Sequence, residues 1–141
     1  MKTQSGRSMI EMLGVLAIIG VLSIGGLAGY TKAMNSYQAN QIMDYMNRCS
    51  VAVQEKLGYD GKITGTTNKC NDAGFLGTSD VLSGIQVNIP KIDADASSFD
   101  LTTKDAIDAS VCAVIAGRAT AGGVTWACPT DTKKVKATYS L

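Results

Sequence analysis

One carboxylate stands inside an otherwise uncharged run. From Met9 to Gly29 the only charged residue is Glu11. A stretch of about 20 apolar residues, rising ~1.5 Å each, spans the ~30 Å hydrocarbon core of a bilayer. A carboxylate at the centre of such a helix costs roughly 2.5–3.5 kcal/mol, and less near its end. An acid kept at that cost implies a cationic partner outside the run. Arg7 lies four residues earlier, within reach on one helix face, although Arg before Glu is the less favourable order. Gly6 precedes it.

Other chemistry is sparse. The chain has no His, which excludes His-based triads, His metal ligands and a His general base. No Ser, Cys or Asp falls in a recognisable catalytic constellation. The sequence therefore predicts neither an enzyme nor a cofactor. Asp93 with Asp95, Asp105 with Asp108, and the stretch from Asp60 to Asp72 offer oxygen ligands. Their spacing lacks the density of a calcium loop, so they read as solvated loop acids and no metal is expected. Lys133, Lys134 and Lys136 read as a solvated face. Four Cys, an even number without Cys-x-x-Cys spacing, point to disulfides rather than metal.

The segment Ser5-Gly6-Arg7-Ser8-Met9-Ile10-Glu11-Met12-Leu13 resembles the class III signal of type IV pilins and pseudopilins. In that family a short basic leader ends in Gly, a membrane peptidase cuts after it, and Glu is the fifth mature residue. Gly6 and Glu11 have this spacing. The resemblance covers about the first 55 residues, through the apolar run and the helix beyond it. It implies cleavage between Gly6 and Arg7. The new α-amine, with a pKa near ~7.7–8.0, would be largely cationic. The resemblance then pairs that amine with Glu11 of a neighbouring subunit. One departure is Arg7 itself, where the family usually has Phe or another apolar residue with a methylated amine. Lys2 and Arg7 orient the N-terminus to the cytoplasm by the positive-inside rule. A secretory signal peptide is the poorer reading, since its apolar region is ~7–15 residues and ends at a small-residue cut site.

The elements that must position these residues follow from periodicity. A chain of 141 residues fits one domain plus one membrane segment. We divide it into a leader (1–6), an apolar helical half (7–29), an amphipathic half (30–58) and an α+β head (59–141). The helix begins near Ser8. Beyond Gly29, Met34, Tyr37, Ile42, Tyr45, Met46, Cys49, Val53 and Leu57 recur at helical steps, predicting a face packed on the head. Gly58 is the predicted stop, giving about 50 residues and ~75 Å. Gly25-Gly26 is the predicted weak point, because Gly costs about 0.8–1 kcal/mol in a helix. Residues 59–80 read as a polar connection. Ile85, Val87 and Ile89 alternate as a strand that Pro90 ends or confines to an edge, and Phe99 with Leu101 suggests another. Thr102 or Thr103 is the predicted cap of a second helix reaching Ala116, with Ile107, Val111, Val114 and Ile115 as its apolar face. Val124, Trp126 and Cys128, then Val135, Ala137 and Tyr139, predict the last two strands. The fold class is α+β: a long N-terminal membrane-spanning helix packed on a small antiparallel head with a second helix.

Four Cys allow three connectivities. Placement favours Cys49 with Cys70, since Cys49 is on the apolar helix face and Cys70 lies in the connection over the head. It favours Cys112 with Cys128, on the second helix and the following strand. A late loop of this kind resembles that of type IVb pilins. The other pairings and free thiols stay open at this point.

The resemblance implies a filament subunit stored in a bacterial inner membrane, cut by a prepilin peptidase and polymerised by pilus assembly machinery. The homo-oligomer would be an extracellular pilus or a periplasmic filament. Removing residues 1–6 takes Lys2 and leaves twelve basic residues against twelve acids, which argues against a general nucleic-acid partner. The alternatives are a minor pilin or type II secretion pseudopilin, and a membrane-tethered periplasmic binding domain that never polymerises.

Overall fold

The computed structural model describes residues 9–65, 68–72, 74–76 and 85–141. Its architecture is α+β: a long apolar N-terminal helix, a second helix and one antiparallel sheet. The chain divides into two compact units, Met1–Met34 and Asn35–Leu141. One helix, α1 (Met9–Asp60), belongs to both.

In the first unit every described residue is exposed. The helix runs unbroken through Gly25 and Gly26. The Ser23 hydroxyl donates to the Ile19 carbonyl at 2.7 Å, and the Thr31 hydroxyl to the Ala28 carbonyl at 3.0 Å. Both polar side chains are thus satisfied by the helix itself, as an apolar solvent requires.

In the second unit, α1 buries Ala39, Ile42, Met43, Tyr45, Met46, Cys49, Ser50 and Val53. These steps of three and four form one stripe. Met34 and Tyr37, expected at its start, are instead 41% and 58% exposed. The stripe begins at Ala39, whose methyl fits where the helix lies close to the head. The helix passes Gly58 and ends at Asp60. Gly61 then takes φ +71°, and its N–H donates to the Leu57 carbonyl at 2.7 Å. Only Gly adopts that left-handed cap without penalty.

Among the described residues the sheet has six strands: β1 (Asn68–Lys69), β2 (Val87–Ile89), β3 (Ser98–Thr103), β4 (Thr120–Ala121), β5 (Val124–Ala127) and β6 (Lys136–Ser140). Their spatial order is β1-β2-β3-β6-β5-β4, and every neighbouring pair is antiparallel. β3 and β6 form its centre, with Phe99 opposite Tyr139 and Leu101 opposite Ala137. Phe99, Leu101 and Thr103 face inward and alternate with more exposed residues, as one-sided burial requires. The core joins this face to the α1 stripe and to the second helix, α2 (Ala109–Ala116). Phe99 stacks on Tyr139 at 5.3 Å between ring centroids, and Trp126 meets Tyr139 edge-on at 6.4 Å.

Two expectations are corrected. Thr102 and Thr103 do not cap a helix; they continue β3, where β-branched residues suit the pleat. The buried Thr103 hydroxyl accepts the Val135 N–H at 3.0 Å. Helix α2 starts six residues later, capped by Asp108, whose carboxylate accepts the Ser110 N–H at 2.8 Å. The connection holds β1, and Gly122-Gly123 make a hairpin joining β4 to β5. Both glycines have positive φ, +65° and +78°, the requirement of a type I′ turn.

Candidate functional site

Glu11 lies in the first turn of α1 as described, where the positive end of the helix dipole favours an acid. It is exposed, between Met9 (86% exposed) and Leu13 (66%). Gly6 and Arg7 lie outside the described residues, and with them the predicted cut and one half of the Arg7–Glu11 pair. Around the acid, Met9, Met12, Leu13 and Leu16 line a shallow apolar cleft of about 360 Å3.

A large exposed apolar surface defines this half of the helix. Ile10, Met12, Leu13, Val15, Leu16, Leu22 and Leu27 are each between 53% and 78% exposed, and at about 100° per residue they occupy all sides of the cylinder. A helix apolar all round belongs in a bilayer or among other helices. The glycines point the same way. A Cβ added at Gly14, Gly20, Gly25, Gly26 or Gly29 would meet nothing within 4 Å. Among the described residues no contact therefore calls for glycine at these five places, although each weakens the helix. Small residues do let a second helix approach closely.

The head is stapled by both disulfides that placement favoured. Cys49 joins Cys70 across 21 positions and Cys112 joins Cys128 across 16, each with Cα atoms 5.6 Å apart. Two asparagines on α1, seven residues apart, add polar ties that the apolar periodicity does not reveal. Asn47 accepts from the Tyr139 hydroxyl at 3.0 Å, and Asn40 accepts from Arg118. Asparagines spaced by two turns on a polar flank were the available signal. Burial pushes the Tyr139 phenol well above its ordinary value, so it remains a neutral donor.

Three of the loop acids are engaged locally. Asp93 pairs with Lys91 at 2.7 Å, Asp60 with Lys56 at 3.3 Å, and Asp72 accepts the Lys69 N–H at 2.6 Å. Among the described residues no group of three His, Cys, Asp or Glu side chains could hold a metal ion. A groove of about 320 Å3 between α1 and α2, lined by Gln38, Gln41, Ile42, Ile107, Asp108 and Val111, holds no catalytic pairing.

No family model, curated protein or solved structure matches this chain. The function must therefore be argued from the chain's own geometry.

Two carboxylates give the head a pH signature. Partial burial raises the Asp100 carboxyl, but bonds from Lys136 at 2.8 Å and the Thr138 hydroxyl at 2.6 Å outweigh it and hold it below the ordinary 3.8. The Ser110 hydroxyl, then its N–H, hold Asp108 low in the same way. A depressed folded pKa stabilises above the unfolded value and is lost as pH falls through the folded one. Thermal unfolding of the full chain in detergent should be flat below neutrality until pH nears 3.8, then decline. Asp100→Asn should show a shallower decline. An identical decline in the variant would remove Asp100 from this account.

Proposed function

We propose that the chain is a structural subunit of a type IV pilin-like filament. The observation that carries this reading is the first half of α1. It exposes apolar side chains on every side, holds one acid in its first turn, and places glycines where no contact among the described residues uses them. A simple tether needs the apolarity alone. A helix that must leave the bilayer and pack among copies of itself has use for the acid and the glycines too.

In this reading the precursor waits in the inner membrane, with Lys2 and Arg7 on the cytoplasmic side. A prepilin peptidase cuts after Gly6. The new amine on Arg7 meets Glu11 of an adjacent subunit, and two costly charges become one pair in a low-dielectric core. Apolar contacts between helices replace those with lipid. The head half of α1 carries the disulfide-stapled head outside. Heterologous contacts repeated along an axis give an open fibre, so the work comes from burial and polymer geometry.

The test is processing. With a prepilin peptidase co-expressed, intact-mass measurement should show a chain beginning at Arg7. Gly6→Leu should leave the precursor whole, because a bulky side chain blocks access to that bond. A wild-type chain still beginning at Met1 would overturn the processed-subunit reading.

A further inference from the structure

We propose that the Cys112–Cys128 disulfide is a thiol-exchange site for a dithiol reductant of the Cys-x-x-Cys class, while Cys49–Cys70 is closed to that chemistry. The inference concerns the head alone and holds whether or not the chain polymerises.

The two bridges differ in what surrounds them. Cys49 and Cys70 are each 0% exposed and belong to the core. Cys112 and Cys128 are 4% and 8% exposed, and both line a cavity of about 140 Å3. Its other walls are Ala109, Ala113 and Ala116 of α2, with Thr130 and Lys133 from the loop before β6. These five wall residues are all exposed, so the cavity meets solvent. Three alanines in a row along that helix leave only methyl groups beside the sulfurs. A longer side chain at any of them would cover the bridge.

Lys133 is the one charged residue among those walls. Its place is fixed by the backbone. It sits at φ +51°, its N–H donates to the Pro129 carbonyl at 2.8 Å, and its carbonyl accepts the Ile107 N–H at 2.8 Å. A cation beside a disulfide attracts an incoming thiolate and stabilises the departing one. Asp108, at the start of α2, lies within the field of the same lysine and offsets part of its charge.

The exchange balances without further reactants. A thiolate of the reductant attacks one of the two sulfurs, forms a mixed disulfide and expels the other cysteine as a thiolate. The second thiol of the reductant, deprotonated, attacks the mixed disulfide and releases the remaining cysteine. The reductant ends as its own disulfide. Two electrons and two protons pass to Cys112 and Cys128. The result unties α2 from the end of β5 and leaves the α1–head staple in place.

The experiment follows each disulfide in the native full chain by alkylation and peptide mass, first with dithiothreitol and then with reduced thioredoxin. Cys112–Cys128 should open at least about tenfold faster than Cys49–Cys70 with both reductants. Ala113→Leu should slow the first bridge and leave the second unchanged, which also shows that the variant is folded. Lys133→Gln should slow it severalfold. In concentrated urea the two rates should converge. Equal native rates, faster opening of Cys49–Cys70, an Ala113→Leu variant reduced like wild type, or rates that still differ in urea would each overturn the proposal. Opening by dithiothreitol but not by thioredoxin would overturn its enzymatic part.

Discussion

Glu11→Gln should insert and accumulate in the membrane like wild type, yet disappear from filaments. The substitution keeps shape and removes charge. In the lipid-stored monomer it is neutral or favourable, because a carboxylate near hydrocarbon is expensive. In the proposed filament it leaves the amine on Arg7 buried and unpaired. Breaking a buried pair from one side costs about 3–5 kcal/mol. That is roughly two to four orders of magnitude in each subunit contact, and a polymer multiplies the loss along its length. A tethered monomer predicts no such split, since Glu11 is exposed and belongs to the first unit rather than to the head. The measurement is paired: membrane abundance by immunoblot, and the fraction released by shearing. Wild-type yield of sheared filament from the Gln variant would remove the assembly role of Glu11.

The second large effect is on the head. Replacing Cys49 and Cys70 together by Ala should lower its stability by about 3 kcal/mol, as the chain-entropy model gives for a loop of 21 residues. Both sulfurs are fully buried, so the cavity left behind adds to this. For a unit of about 100 residues the melting temperature should fall by roughly 12–24 °C. The bridge is the covalent tie between α1 and the connection that carries β1. Circular dichroism on heating, in detergent, reads the shift. A fall of under about 3 °C would mean that the packed face of α1 holds the head without the staple.

The parts of this fold legible in sequence are those where a period or a covalent rule is strong. Ile42, Met46, Cys49 and Val53 repeat at helical steps, and the helix buries them. Phe99 with Leu101 and Ala137 with Tyr139 alternate, and they pair as neighbouring strands. Cys49 on the apolar helix face and Cys70 in the connection over the head together favour the bridge that the structure holds. The misreadings arose where two principles compete. Thr102 and Thr103 suit both a helix cap and a strand, and pairing with β6 and β2 decided for the strand. In sequence Asp108 reads as a loop acid, although an acid just before Ala109 is also a cap. Asn68 and Lys69 carry no apolar pattern, so their pairing with Ile89 and Asn88 has no local signal. Met34 and Tyr37 continue the helical spacing, but burial depends on where the head begins, and that is a tertiary fact. At the candidate site, the apolar run and its acid were plain in the sequence. That a Cβ would meet nothing at its glycines needed coordinates.

The central claim is that this chain polymerises after processing. The most direct measurement is intact mass and N-terminal sequence of the protein in the sheared surface fraction from cells carrying the assembly machinery. The account predicts filaments of this chain, beginning at Arg7, with both disulfides closed. A chain found only in membranes, beginning at Met1 and monomeric in detergent, would contradict it.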